Sequence, residues 1–442
     1  MLNLRAQSGS CCLCDTQAAV TAVASAAIQE ELVIKHKQAL GGALALTVAV
    51  GVAAGALPAS ANTVPTARSG AARPAATTDT AQLRALMQRL TTADGAPGAL
   101  LQTRDQHGST VLTSGVADVN SQVPMAGGSR FRIGSMTKPF VATVVLQLVG
   151  EHRIGLDVPV EHYLPGLFHG YGHEEDDREI TVRQLLQHTS GLPDYLAVLG
   201  PQAILEDPLA HHDTRDSVNL ALARPRTFKP DGGWRYSNTN YLIAGMLIEK
   251  VTGHPYGEEI LWRIIKPIHL RQTSVPGDDS AIAGPHPRGY VRPGEDAPLM
   301  DLTAINPSVA GASGEMISSA GDLNRFLGAL VGGRLLRPAQ LKEMMHTKET
   351  GDEGRTYGLG LERREPTNGS GCVYWGHGGD IFGYQTAVGA TTDGHQVTVM
   401  ANVDPGGTDM QDDDIEAAVQ TALCEERPGS KPPIDLAAPR HR

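Results

Sequence analysis

Phe131-Arg-Ile-Gly-Ser-Met-Thr-Lys-Pro-Phe140 is the stretch on which the reading of this chain turns. Ser135 and Lys138 stand three residues apart, so a helical backbone puts them on one face. The apolar run Val141-Ala-Thr-Val-Val-Leu-Gln-Leu-Val149 predicts a buried helix beginning near Ser135. Pro139 then falls in the first turn, where its missing N–H costs little. The result is a hydroxyl at the positive end of a helix with an amine beside it, a way to activate a serine without a histidine. A capping serine next to an unrelated surface lysine has the same spacing, so the other parts of a site must be found elsewhere.

Two segments supply them. Trp234-Arg-Tyr-Ser-Asn-Thr-Asn240 places Tyr236-x-Asn238 in a loop. A tyrosine hydroxyl shuttles a proton when neighbouring cations favour its phenolate, and an asparagine amide both donates to and accepts from a peptide-like substrate. Gly376-His-Gly-Gly-Asp380 follows a predicted strand. There Gly378 and Gly379 allow close backbone approach to a ligand, and His377 places a donor beside Tyr236. The backbone N–H of Asp380 is expected to pair with that of Ser135 as an oxyanion hole. Each segment alone is weak. Their conjunction on a helix start, a loop and a strand carries the argument, and the absence of a Gly-x-Ser-x-Gly elbow argues against an α/β-hydrolase.

The chain has 442 residues, a net charge of −11 and few aromatics (4%). An acidic balance without Lys/Arg runs argues against nucleic acid as a partner. Residues 1–61 read as an N-terminal extension and secretory signal. Lys35-His-Lys37 precedes the uncharged Ala39 to Leu57, and Pro58-Ala-Ser-Ala61 offers a cleavage site, with translation expected to start near Val33. A membrane anchor is the alternative, but Gly/Ala richness and the cleavage site favour removal and a secreted or cell-wall-associated product without a permanent anchor. Cys11, Cys12 and Cys14 leave with the leader. Cys372 and Cys424 then read as one disulfide, two buried thiols being the alternative.

Residues 62–78 read as a flexible linker and 427–442 as a disordered tail. Residues 79–426 form the folded unit. A helix over Gln82–Leu90 and a hairpin of Gly98–Arg104 with Ser109–Val116 precede the Ser135 helix. A mostly helical stretch with long loops follows, about 152–305, including a short helix over Thr181–His188 and an apolar one over Asn240–Val251. Helices over Ala320–Leu330 and Pro338–Met345 lead into strands at Tyr357–Arg364, Cys372–Trp375, Tyr384–Ala390 and Gln396–Asn402, with a closing helix over Asp414–Leu423. Strands at both ends of the chain imply an α+β fold, one sheet built from both ends with a helical subdomain inserted. The His/Glu/Asp-rich residues 169–179 (among them His169, His173, Glu174, Glu175, Asp176, Asp177 and Glu179) and His211-His212-Asp213 lack a metal-ligand spacing and read as solvated loops; no metal or cofactor is expected.

Together Ile133-Gly-Ser-Met-Thr-Lys138, Tyr236-Ser-Asn-Thr-Asn240, Ala244-Gly-Met-Leu-Ile-Glu-Lys250, Tyr357-Gly-Leu-Gly-Leu361 and Gly376-His377 resemble the penicillin-recognising serine hydrolases over roughly residues 79–425. The branch is the class C β-lactamase-like one, with the serine-type D-alanyl-D-alanine carboxypeptidases. The resemblance implies a β-lactamase/transpeptidase-like fold, an antiparallel sheet flanked by helices plus an all-helical subdomain. It implies Ser135 as the acylated nucleophile, Lys138 and Tyr236 sharing proton transfer, Asn238, His377, Gly378 and Gly379 holding substrate, and Ser135 and Asp380 N–H groups as the oxyanion hole. Cys372 and Cys424 match a bridged pair in position. Peptidoglycan stem peptides ending in D-Ala-D-Ala are the implied substrate, with β-lactams as acylating inhibitors. Three positions depart from the pattern: Gly378 in place of a threonine, Val309 in place of an aromatic, and Glu362 in place of a carboxylate-binding arginine. Of the two following arginines, Arg363 and Arg364, strand alternation puts only Arg364 on the face of Glu362. Replacing Arg by Glu penalises an anionic C-terminus tenfold or more, so an esterase or D-amino-acid peptidase is the alternative enzyme. A penicillin-binding protein without turnover is the alternative that intact Lys138 and Tyr236 oppose.

Overall fold

The computed structural model describes residues 78–171, 178–294, 297–367, 370–408 and 410–424. The expected leader, nearly all of the linker, the tail and residues 172–177 lie outside the described residues.

The N-terminal helix α1 (Thr78–Thr92) leads into β1 (Gly98–Arg104), β2 (Ser109–Gly115) and β3 (Arg130–Arg132). A single 3-10 turn, Gly134–Met136, runs directly into α2 (Thr137–Gly150). The middle of the chain carries α3 (Val182–Gln187), α4 (Tyr195–Leu199), α5 (Pro201–Glu206), α6 (Thr214–Leu222), α7 (Thr239–Thr252) and α8 (Tyr256–Ile260), then the short strands β4 (Tyr290–Val291), β5 (Met300–Asp301) and β6 (Ile317–Ser319). The chain closes with α9 (Ala320–Val331), α10 (Pro338–Met344), β7 (Lys348–Glu349), β8 (Arg355–Tyr357), β9 (Glu362–Arg364), β10 (Tyr374–Ile381), β11 (Tyr384–Ala390), β12 (Gln396–Ala401) and α11 (Met410–Cys424).

One eight-stranded sheet is ordered β2-β1-β12-β11-β10-β9-β8-β7, every pairing antiparallel. The last strand lies between the first hairpin and the rest, so the sheet is built from both ends of the chain. Both faces are covered, and the period-two rule sorts side chains between two cores. Val397, Val399 and Ala401 of β12 pack with α1 and α11 residues such as Leu90 and Val419. Met400 packs on the other face with Leu100, Phe326 and Phe140. There Phe140 of α2 stacks on Phe326 of α9, centroids 3.6 Å apart. Phe140, Val141, Val144, Val145, Leu146 and Leu148 are all fully buried. At roughly 1.5–3 kcal/mol per large apolar side chain, this helix is anchored far more firmly than its propensity requires.

Two strand expectations need correction. Tyr357–Arg364 is not one strand but the hairpin β8–β9, because Gly360 takes the left-handed region (φ 75°) and Gly358 N–H donates to Leu361 O. The glycine-rich segment Gly376–Asp380 does not follow a strand; it is the body of β10. The short helix α3 is started by a reciprocal cap between Thr181 and Gln184 and ends at His188. Cys372 and Cys424 are bonded, with Cα atoms 5.5 Å apart, tying the approach to β10 to the end of α11. Among the described residues, no helix is long and apolar enough to cross a membrane.

Candidate active site

Within Phe131–Phe140, nine residues are buried and Ser135 is the partly exposed one. The 3-10 turn thus presents the Ser135 hydroxyl from an otherwise buried segment. β10 lies against this turn, backbone on backbone. A Cβ on Gly379 would fall 2.1 Å from Ile133 O, and one on Gly134 (φ 47°) would fall 2.8 Å from Asp380 N. Only glycine permits that approach. It puts the Asp380 peptide beside the residue preceding Ser135.

Lys138 is fully buried, and its Nζ reaches three oxygens: Ser135 Oγ at 2.9 Å, Asn238 Oδ1 at 2.8 Å and Ser313 O at 2.7 Å. Burial pushes the amine down to about 7, against the pull of Asp194 and Asp380. Two of the three oxygens are obligatory acceptors. When the ammonium loses its proton, its two remaining hydrogens stay with Asn238 and Ser313. The lone pair is left facing the Ser135 hydroxyl.

Tyr236 stands over this amine, with Lys138 Nζ 4.8 Å from its ring centroid. Its hydroxyl is buried and, among the described residues, falls short of hydrogen-bond geometry with any side chain. Burial holds the phenol well above its ordinary value, and the nearby Ser135 hydroxyl offsets this only in part. Tyr236 is therefore a neutral phenol, a proton donor rather than a phenolate.

Asn238 occupies the N-cap position of α7 without capping it. Its carbonyl accepts from Lys138 and its Nδ2 donates to Asp194 Oδ2 at 2.9 Å. The amide serves the site in place of a cap that is typically worth about 1 kcal/mol. Asp194 in turn caps α4, accepting from Leu196 N at 3.0 Å, and burial raises its carboxyl.

His377 lies near Tyr236 as expected, its ring centroid 6.2 Å from that of the phenol, yet it offers no donor there. Its Nδ1 must donate to the carbonyl of Gly378, so Nε2 accepts from the Tyr357 hydroxyl at 2.9 Å. Burial lowers the imidazole to about 4, keeping it neutral. The ring is a strut between β10 and β8. Gly378 is open on its side-chain face, with nothing nearer a built Cβ than Thr386 O at 3.9 Å.

Glu362 is buried. Its carboxylate pairs with Arg355 at 2.6 Å and Arg364 at 2.9 Å. Burial alone would raise its pKa; the two guanidiniums outweigh that and hold it far below the usual carboxylate range. Alternation identified Arg364, but Arg355 was out of sight because it arrives only through the hairpin, which sets it opposite Arg364. Glu362→Gln is expected to cost about 3 kcal/mol at neutral pH, at the low end for breaking a buried pair because Asp352 and Glu416 still hold the two arginines. The stabilisation is fully present above the unfolded glutamate value of about 4.3 and fades as pH falls below it. Thermal melts of both proteins from pH 3 to 7 should therefore converge toward acid; curves separated by a constant gap would refute the assignment.

Asp194, Ser313, Tyr357 and His188 are site residues that sequence reasoning missed. The cue for Asp194 was its place after Pro193 as a helix cap; a backbone carbonyl such as that of Ser313 leaves no cue.

The beta-lactamase family model matches residues 83–422. A solved structure of a D-stereospecific amidohydrolase from Streptomyces sp. is 41% identical, with a TM-score of 0.71 over 78% of this chain and 98% of that one. Esterase EstB of Burkholderia gladioli is 29% identical over 310 residues, 64% of this chain and 73% of that protein. Penicillin-binding protein 4* of Bacillus subtilis is 32% identical over 162 residues, 36% of this chain and 34% of that protein, so the match spans about a third of that relative's length. With the fold, the three motifs and these matches in agreement, the chain belongs to the beta-lactamase family of serine hydrolases.

Proposed function

We propose that this is an exported hydrolase working through an acyl-enzyme on Ser135, and that it cleaves an amide or ester whose acyl part is a D-amino-acid residue and whose leaving side carries no carboxylate. The observation that carries the substrate choice is Glu362. A buried anion, with both arginines already paired to it, stands where a carboxypeptidase-like site needs a free arginine. The likeness to a D-stereospecific amidohydrolase and to an esterase supports the same choice.

The chemistry follows from the protonation states. Neutral Lys138 takes the Ser135 proton as Oγ attacks the carbonyl carbon. The oxyanion forms between the N–H groups of Ser135 and Asp380. The Tyr236 phenol protonates the departing nitrogen or oxygen, and the proton on Lys138 replenishes it. Water then attacks the Ser135 ester by the reverse route, giving its proton back through the same pair. Asn238 keeps the amine in place, and its remaining N–H is available to the acyl-side carbonyl of the substrate.

A D-Ala-D-Ala carboxypeptidase remains the second reading, favoured by the Cys372–Cys424 bridge at the position the resemblance implies. Incubating the protein with a D-amino-acid amide, its L-isomer, a nitrophenyl ester, a D-Ala-D-Ala peptide and a fluorescent penicillin separates the readings. Amide and ester turnover with D-preference, exceeding D-Ala release by tenfold or more, is the expected result. D-Ala release as the dominant activity would overturn the substrate choice, and labelling by penicillin without turnover of any substrate would overturn the hydrolase.

A further inference from the structure

His188 ends α3 in the left-handed region (φ 62°, ψ 31°), where glycine is the usual choice. The ring is fully buried and lies 4.3 Å, centroid to centroid, from that of Tyr236, tilted by 31°.

Its hydrogen bonds fix its tautomer. Asn240 Oδ1 accepts from the Ser190 hydroxyl at 2.6 Å, so the Asn240 Nδ2 group is the one facing His188 Nδ1, at 3.1 Å. The backbone N–H of Ser237 donates to the same Nδ1 at 3.2 Å. With two donors converging on it, Nδ1 is the bare acceptor and Nε2 carries the hydrogen, buried and without a partner among the described residues. Burial, with the charge of Lys138 and the neighbouring His377, holds the imidazole neutral; Glu362 opposes this and Arg355 adds to it. The backbone carbonyl of His188 accepts from Arg235 N at 3.0 Å. The chain is thus gripped on both sides of Tyr236, at Arg235 and at Ser237, while the imidazole packs on the phenol between them.

We infer that His188 is a positioning residue that aims the Tyr236 phenol at the leaving group, acting through the bare Nδ1 that holds Ser237. The inference rests on the acyl-enzyme reading in taking Tyr236 as the proton donor. It separates from that reading by leaving group. An amide nitrogen must be protonated to depart, whereas nitrophenolate departs without help. A displaced phenol therefore slows amides selectively, which a general loosening of the fold would not do.

The test compares His188→Phe, which keeps a ring and removes the acceptor, with His188→Asn. Asparagine tolerates the left-handed region and places an oxygen where Nδ1 stands. Both are made in the full chain, and kcat/KM is measured for a D-amino-acid amide and for a nitrophenyl ester of the same acyl group. The expected outcome is an amide/ester ratio lowered about 30-fold in the phenylalanine protein and within threefold of wild type in the asparagine protein. Equal losses on both substrates, or an unchanged ratio with phenylalanine, would overturn the inference. If the phenylalanine protein does not fold, the asparagine protein decides: a ratio within threefold supports the acceptor role, and a tenfold fall overturns it. A wild-type protein that turns over neither substrate fails the hydrolase reading instead.

Discussion

Ser135→Ala is expected to abolish covalent labelling by a fluorescent penicillin and to lower turnover by about six orders of magnitude, the scale on which a covalent nucleophile is lost. The change removes one oxygen from a 3-10 turn whose backbone alanine adopts equally well. The turn is held by Met136 N–H donating to Ile133 O at 3.0 Å and by the buried neighbours on either side, none of which depends on the hydroxyl. The melting temperature should stay within a degree or two. Intact-mass spectrometry after incubation with the penicillin reads the outcome directly: wild type gains the mass of the acyl group and the variant gains nothing. An adduct of undiminished yield on the variant would mean that the hydroxyl singled out by the Ser-x-x-Lys spacing is not the one that is acylated.

Lys138→Met should cost about two to four orders of magnitude in the acylation rate, the span assigned to a positioned general base. Methionine has nearly the same length and suits a buried site. The variant loses two bonds to carbonyl oxygens, but it also loses the cost of holding an ammonium in a dry interior, so the fold should persist. The pH dependence carries the sharper test. Burial brings the amine down to about 7. Below that value the ammonium has no lone pair, and above it the neutral amine faces Ser135. Wild-type acylation should rise with pH through about 7 and level off, and the rise should vanish in the methionine protein. The sign for stability is the same. A lysine held below its unfolded value of about 10.4 binds fewer protons folded than unfolded, so its burial cost shrinks as pH climbs from 7 toward 10. An unaltered acid limb in the methionine protein would pass the base role to another group.

The fold was legible wherever the pattern was long and local. The apolar run after Lys138 marked α2, the alternating Gln396–Asn402 marked β12, and strands at both ends of the chain implied a shared sheet. The failures came at Gly358–Leu361 and Gly376–Asp380. Glycine is equally at home in a turn and in an extended strand, so only the partners of those residues settle which one forms. β9 sits in the middle of the ladder, and its pairing with β10 forces the chain to double back before it.

For the site, the sequence by itself determined the chemical inventory: a hydroxyl and an amine on one face, a phenol and an amide two residues apart, and a glycine-rich segment carrying a histidine. Residue type and short spacing are local properties, and no folding is needed to read them. What only the tertiary structure decided was the state of each group. The Lys138 amine is brought down to about 7 because the packed interior strips water from it, and the carbonyl of Ser313, 175 residues away, holds one of its hydrogens. His377 becomes a strut because Tyr357 and the Gly378 carbonyl claim both its nitrogens. Glu362 is silenced by an arginine that a hairpin carries to it. Protonation and hydrogen-bond direction depend on what surrounds a group in space, and those neighbours come from distant parts of the chain.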